Sequence, residues 1–235
     1  MNISIDTTKL IRDQIEYYRS RSSEYDEWFY RIGRYDRGQE LNDRWFAEVE
    51  IVQKALREIG QVNQVLELAS GTGIWTEQLL QIGTKIVVID ASAETIAINQ
   101  NKLNSDKVTY QHRDIFAWEP EQEYDLVFFS FWISHVPPDL LQSFLNKVYL
   151  ATRKGGQIFV IDSRNDYTSR AKDHLVNDQN GIYQTRKLND GREFQIAKIF
   201  YQPDELRTLL VNTGFTADVR VTENYFIYAH GSKSN

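Results

Sequence analysis

The 235-residue chain has 27 Lys and Arg against 33 Asp and Glu, a formal net charge of −6, and no cysteine. Disulfides and thiolate metal sites are thereby excluded, and the negative balance argues against nucleic acid as a partner. No apolar run approaches the ~20 residues a bilayer span needs. The polar, acid-bearing N-terminus is unlike a secretory signal, so a cytoplasmic protein with no membrane partner is expected.

Residues 1–62 read as helical. Ile11, Ile15 and Tyr18 fall at helical spacing, and Asp43 is placed to cap a helix through Ile59. Between them, residues 25–38 are crowded with rings and arginines and too irregular for a simple helix face. From Gln64 onward strands alternate with helices: strands over 64–68, 85–90, 108–112, 124–129 and 157–162, helices over 74–82, 93–103 and 138–151. Such alternation with short links predicts a parallel sheet with helices on both faces. Beyond Asp162 the pattern changes. Asn189-Asp190-Gly191 is a hairpin turn signal between 183–188 and 192–200. Pro203 opens a further helix, and 217–222 with 225–230 read as antiparallel strands closing the sheet. The expected organisation is one domain over 1–235: a helical lid segment (1–62), a core (63–162), an insertion with hairpin (163–202), then a terminal helix and strands (203–235).

The chemistry concentrates where strand one turns into its helix. Val65 to Trp75 reads as an apolar strand, a small-residue turn containing Gly71 and Gly73, and the start of a helix; the next strand ends at Asp90. A backbone-lined hollow beside a carboxylate at the carboxyl edge of a parallel sheet is where open α/β folds hold nucleosides. Glycines allow the main chain an approach that a Cβ would exclude. A dinucleotide fingerprint needs a third glycine, and Thr76 stands in its place beside Trp75, which disfavours a pyrophosphate.

Five segments in register resemble the class I S-adenosylmethionine-dependent methyltransferases over residues 60–165. Glu67-Leu68-Ala69-Ser70-Gly71-Thr72-Gly73 looks like that family's first motif, with alanine at 69 where glycine is usual. Asp90-Ala91-Ser92 resembles its ribose acid and flanking residues, Arg113-Asp114-Ile115 its adenine-edge motif, Tyr124 to Phe128 its fourth strand, and Lys154-Gly155-Gly156 the turn before its fifth. The resemblance implies a Rossmann-like α/β methyltransferase fold, with a mostly parallel seven-stranded sheet, a helical lid and a β-hairpin insertion after strand five. It implies S-adenosyl-L-methionine as cofactor, met by Glu67, Ala69, Gly71, Gly73, Trp75, Asp90, Ala91, Ser92, Asp114, Ile115 and Ser130; no metal is expected, since the loop after strand four has no carboxylate pair or His/Asp cluster.

Methyl transfer from a sulfonium is an in-line displacement that needs an aligned acceptor and exclusion of water. Residues 130–138 leave the fourth strand beside the expected cofactor site, so His135 is the candidate base, against a bracing role for the same ring. Tyr25, Trp28, Phe29 and Arg31 of the ring-rich segment, Trp132, and Arg164 after strand five are the candidate substrate contacts. Arg34, Arg170, Asp173, His174, Arg186 and Arg192 stand nearby in the same two segments. Arginines from both segments favour an acceptor with a carboxylate or other anionic handle. The sequence reading is methylation of an oxygen or nitrogen of a small organic molecule by a monomer or homodimer. An enzyme methylating RNA or protein, and a dinucleotide-dependent oxidoreductase, stay open as alternatives.

Overall fold

The computed structural model describes residues 7–173 and 182–234. Three helices come first, α1 (Thr7–Arg21), α2 (Tyr25–Phe29) and α3 (Gln39–Arg57). Then follow β1 (Val62–Leu68), α4 (Ile74–Leu79), β2 (Gly83–Asp90), α5 (Ala93–Leu103), β3 (Val108–His112), β4 (Tyr124–Ser130), α6 (Pro138–Ala151) and β5 (Thr152–Ser163). The chain closes with β6 (Tyr183–Lys187), β7 (Glu193–Ala197), α7 (Pro203–Thr213), β8 (Asp218–Val221) and β9 (Phe226–Ser232).

The main sheet runs β3-β2-β1-β4-β5-β9-β8, parallel through β5 and antiparallel at β9 and β8. Side-chain alternation along the central strands feeds two cores. Leu66, Leu68, Val127 and Phe129 pack under α6 and α7 on one face, while Val65, Leu126 and Phe128 pack under α3 and α4 on the other. Asp90, His112 and Ser130, at the ends of the parallel strands β2, β3 and β4, share the carboxyl edge of the sheet, and the strand order reverses between β1 and β4.

Two local expectations are corrected. Helix α3 begins at Gln39 after Gly38, whose φ of 85° only glycine adopts readily, so Asp43 lies inside the helix and caps nothing. The Lys154-Gly155-Gly156 stretch is no turn before the fifth strand but an irregularity within it: β5 starts at Thr152, and its register against β4 shifts between Tyr124 and Leu126. The hairpin β6–β7 forms as expected around residues 189–191. It does not join the main sheet; it packs on α1, where Tyr17, Leu188 and Ile196 make a small core with Tyr18 and Phe194. His174 lies outside the described residues.

Candidate active site

The turn after β1 departs from ordinary backbone at three positions: Ala69 (φ 55°), Gly71 (φ 56°) and Gly73 (φ 89°) are left-handed. For alanine that conformation costs about 1–2 kcal/mol, which explains why a glycine suits this position. The winding turns the backbone away from the strand and leaves a hollow above it. Asp90, at the end of β2, faces that hollow. Its Oδ2 accepts from the Gly71 amide at 2.8 Å, and its Oδ1 accepts from Ser92 N at 2.9 Å and from the Thr95 hydroxyl at 3.2 Å. Burial raises the Asp90 pKa and these donors oppose the rise.

The hollow is lined by Ala69, Gly71, Asp90, Ala91, Ser92, Asp114, Ile115, Ser130 and Trp132, with Ile11, Gln14, Ile15 and Tyr18 of α1 as its roof. Ser92 also caps α5 through the Thr95 amide, and Asp114 Oδ1 accepts from Phe116 N at 2.9 Å. An acidic group near a glycine turn, apolar walls and a second carboxylate at the rim fit an adenosine with its ribose hydroxyls. A pyrophosphate does not fit, because the N-terminus of α4 is closed by buried Trp75 and Thr76.

Three residues expected against the cofactor do not line this hollow, although Trp75 lines a smaller cleft beside it with Ala69, Ser130 and Phe131. Glu67 is buried, accepts from the Thr76 hydroxyl at 2.6 Å and is pushed up to about 8 by burial. Gly73 sits against Asn99, whose Oδ1 would be 2.6 Å from an added Cβ. Trp75 packs against Phe29 and Phe128.

A second chamber opens beside the first, and Tyr18, Tyr25 and Phe131 line both. Phe131 is itself left-handed (φ 52°), its amide bonded to Ile161 O at 2.7 Å, which throws the ring off the strand into the junction. Trp28 meets Phe131 edge-on at 4.8 Å and donates its indole N–H to Ser169 O at 3.0 Å. Much of the remaining wall is cationic, with Arg21 from α1, Arg34, Arg170, Arg186 and Lys187 from β6, and Lys198 after β7 among rings and small residues. His135 faces the same space. Its Nδ1 lies 2.6 Å from Ala197 O, and burial, with Lys198 nearby, holds its pKa well below the ordinary value. Lys198 is buried and bonded to Ser134 Oγ (2.7 Å), Ser163 Oγ (3.0 Å) and Asp162 Oδ1 (3.1 Å).

The structure redirects four of the expected substrate contacts. Arg31 is buried with its guanidinium on the carbonyls of Thr168 (2.6 Å) and Ser169 (3.5 Å) and over the Trp45 ring, where it fastens the lid to the insertion. Arg164 spends its fork on Thr222 O and Glu223 O. Phe29 is core beneath Trp75, and Trp132 walls the first hollow beside Phe116. Arg192 pairs with Asp190 at the exposed hairpin tip. Tyr25 and Trp28 do reach the chamber. Sequence reasoning missed Gln14, Tyr18, Arg21 and Lys198. The first three stand at i, i+4 and i+7 on one helix face, a spacing that marks them as neighbours; Lys198 carried no local signal.

A model described as "Methyltransferase domain" matches residues 65–156. Among solved structures, DhpI in complex with SAH is 32% identical, with a TM-score of 0.75 over 96% of this chain and 97% of that one. DhpI in a SAM-HEP complex is also 32% identical, with a TM-score of 0.76 over 94% of this chain and 97% of that one. A malonyl-[acyl-carrier protein] O-methyltransferase of Bacillus cereus is 28% identical over 174 residues, 70% of this chain and 58% of that protein. The chain thus spans little more than half the length of the curated relatives it matches. With a methyltransferase-domain match and 32% identity to a solved S-adenosylmethionine-binding relative along nearly the whole of both chains, the chain belongs to the class I S-adenosylmethionine-dependent methyltransferases.

Proposed function

We propose that this protein transfers the methyl group of S-adenosylmethionine to an oxygen or nitrogen of a small anionic metabolite. One observation carries the reading: a nucleoside-shaped hollow and a cation-walled chamber meet at the rings of Tyr18, Tyr25 and Phe131. A cofactor bound in the hollow supplies an electrophilic sulfonium methyl. The chain's own residues do the rest. Asp90 holds ribose hydroxyls, the three rings exclude water and favour positive charge at the junction, and the chamber cations orient the acceptor for an in-line approach.

His135 is suited to serve the acceptor in its neutral form. Ala197 O can only accept, so Nδ1 carries the proton and Nε2 keeps its lone pair free for an acceptor's hydrogen. An oxygen acceptor is favoured over nitrogen, because a relative at 28% identity is named as an O-methyltransferase.

The test is incubation with methyl-labelled S-adenosylmethionine and a panel of small organic acids, with amines and cell RNA and protein as controls. Acid-soluble label that depends on an anionic acceptor supports the reading. Label confined to precipitable macromolecules would replace it with the RNA or protein alternative, and tight NAD binding without S-adenosylhomocysteine binding would replace it with the oxidoreductase.

A further inference from the structure

The acceptor chamber has more positive charge than one carboxylate could balance. Arg21, Arg34, Arg170, Arg186 and Lys198 all line it, and among the described residues no Asp or Glu does. Arg34 pairs with Asp173 (3.0 Å) and Lys198 with Asp162 (3.1 Å), both carboxylates set back from the chamber. Arg21 has instead the rings of Tyr17, Tyr25 and Tyr35 at 5.0–5.9 Å and a 3.3 Å bond to the Tyr35 hydroxyl. Arg170 donates to Asn165 Oδ1, sits over Phe200 at 5.9 Å, and keeps a buried Nε with no partner.

Partly buried guanidinium groups facing rings and neutral amides are costly unless an anion arrives. The cations also come from separate elements: α1, the turn after α2, the segment after β5, β6, and the end of β7. A planar carboxylate offers two oxygens in one plane, which matches one or two forks. A phosphoryl group offers three oxygens in a tetrahedral spread and up to two charges, which matches donors converging from several sides.

We infer that the chamber is a binding site for a phosphoryl dianion, a phosphomonoester or a phosphonate, carried by the methyl acceptor. The inference rests on the methyltransferase reading for the word acceptor, but the anion site itself does not depend on it. It narrows the anionic handle from a carboxylate to a tetrahedral, doubly charged group.

The test is calorimetric titration of the full-length protein, with and without saturating S-adenosylhomocysteine, at constant ionic strength and pH 8. The probes are methyl phosphate, methylphosphonate and acetate. Either phosphoryl probe should bind at least ten-fold more tightly than acetate, and comparing the two shows whether an ester or a carbon linkage is preferred. Arg21→Gln and Arg170→Gln should each weaken phosphoryl binding by about ten-fold or more while leaving S-adenosylhomocysteine affinity within two-fold; Arg170 lies in an irregular surface segment, so its variant tests the site even if R21Q fails to fold. Acetate binding as tightly as the phosphoryl probes overturns the proposal, as does absence of phosphoryl binding in a protein that still binds S-adenosylhomocysteine. Loss of S-adenosylhomocysteine binding alone, with phosphoryl binding intact, strikes the methyltransferase reading and leaves the anion site standing.

Discussion

His135 donates from Nδ1 to the carbonyl of Ala197 at 2.6 Å, and Gln14 closes the same triangle. The Gln14 side-chain amide donates to His135 O at 3.0 Å and accepts from Ala197 N at 3.3 Å. One glutamine on the roof helix α1 thus ties the loop after β4 to the hairpin strand β7, and it lines the cofactor hollow as well. The imidazole is oriented by a carbonyl that is oriented by the lid.

Replacing His135 with Ala should lower kcat by about 10²-fold if the ring takes or shares an acceptor proton. Because burial holds this imidazole well below its ordinary pKa, the wild-type rate should show no imidazole inflection between pH 6.5 and 8. A steep rise across that window would mean that the ring is charged at neutral pH. Stability follows the same sign: a depressed histidine is fully favourable above the unfolded value of 6.5 and loses its contribution as pH falls below it.

Gln14→Leu removes both arms of the triangle and strands two buried backbone groups. The expected cost is about 1–3 kcal/mol of stability, read by denaturant titration. Gln14 acts as a positioning residue, so kcat should fall while Gln14→Asn or Gln14→Glu restores part of it. Unchanged kcat in a destabilised but folded Q14L protein would reduce the triangle to a structural brace.

Asp90→Ala should weaken S-adenosylhomocysteine binding about ten-fold or more, since a hydrogen bond to a charged group is worth about 1.5–3 kcal/mol. The variant also leaves the Gly71 amide without its acceptor. Calorimetry reads the loss, and undiminished affinity would take the ribose away from this residue.

Gly73→Ala meets two penalties, a left-handed φ of 89° and a Cβ 2.6 Å from Asn99 Oδ1. Asn99 holds the Thr76 hydroxyl at 3.0 Å, which holds Glu67. A loss of about 2–4 kcal/mol is expected from left-handed strain and overpacking together, measured as a lowered Tm.

Glu67→Gln should change how stability depends on pH. Burial pushes the Glu67 carboxyl up to about 8 from an ordinary 4.5. Its stabilising contribution is therefore complete below pH 4.5 and is lost as pH rises toward 8, because the unfolded chain gives up that proton first. The glutamine has no proton to lose, so the difference in Tm between variant and wild type should grow in the variant's favour from pH 5 to 8. A constant difference across that range would show that Glu67 is ionised in the folded protein.

Much of the donor side was legible in the sequence. Short apolar runs alternating with helical segments located the five parallel strands, with the start of β5 the largest miss, and the hairpin followed from Asn189-Asp190-Gly191. The aromatic segment was harder. Arg31 and Phe29 lay next to residues that do reach the chamber, yet they point the other way, into the seam with the insertion and into the core. Their neighbours along the chain do not say which way a short, irregular helix turns its side chains.

The sequence by itself determined the family, the parallel sheet, and the floor of the cofactor hollow, because a βα turn places its glycines beside the acid that ends the next strand. Tertiary structure decided the acceptor chamber. Tyr18, Arg21, Arg170, Arg186 and Lys198 are distant in the chain and meet only after α1 has docked on the β6–β7 hairpin. Which charges end up facing one another is then a matter of packing, and no local pattern encodes it.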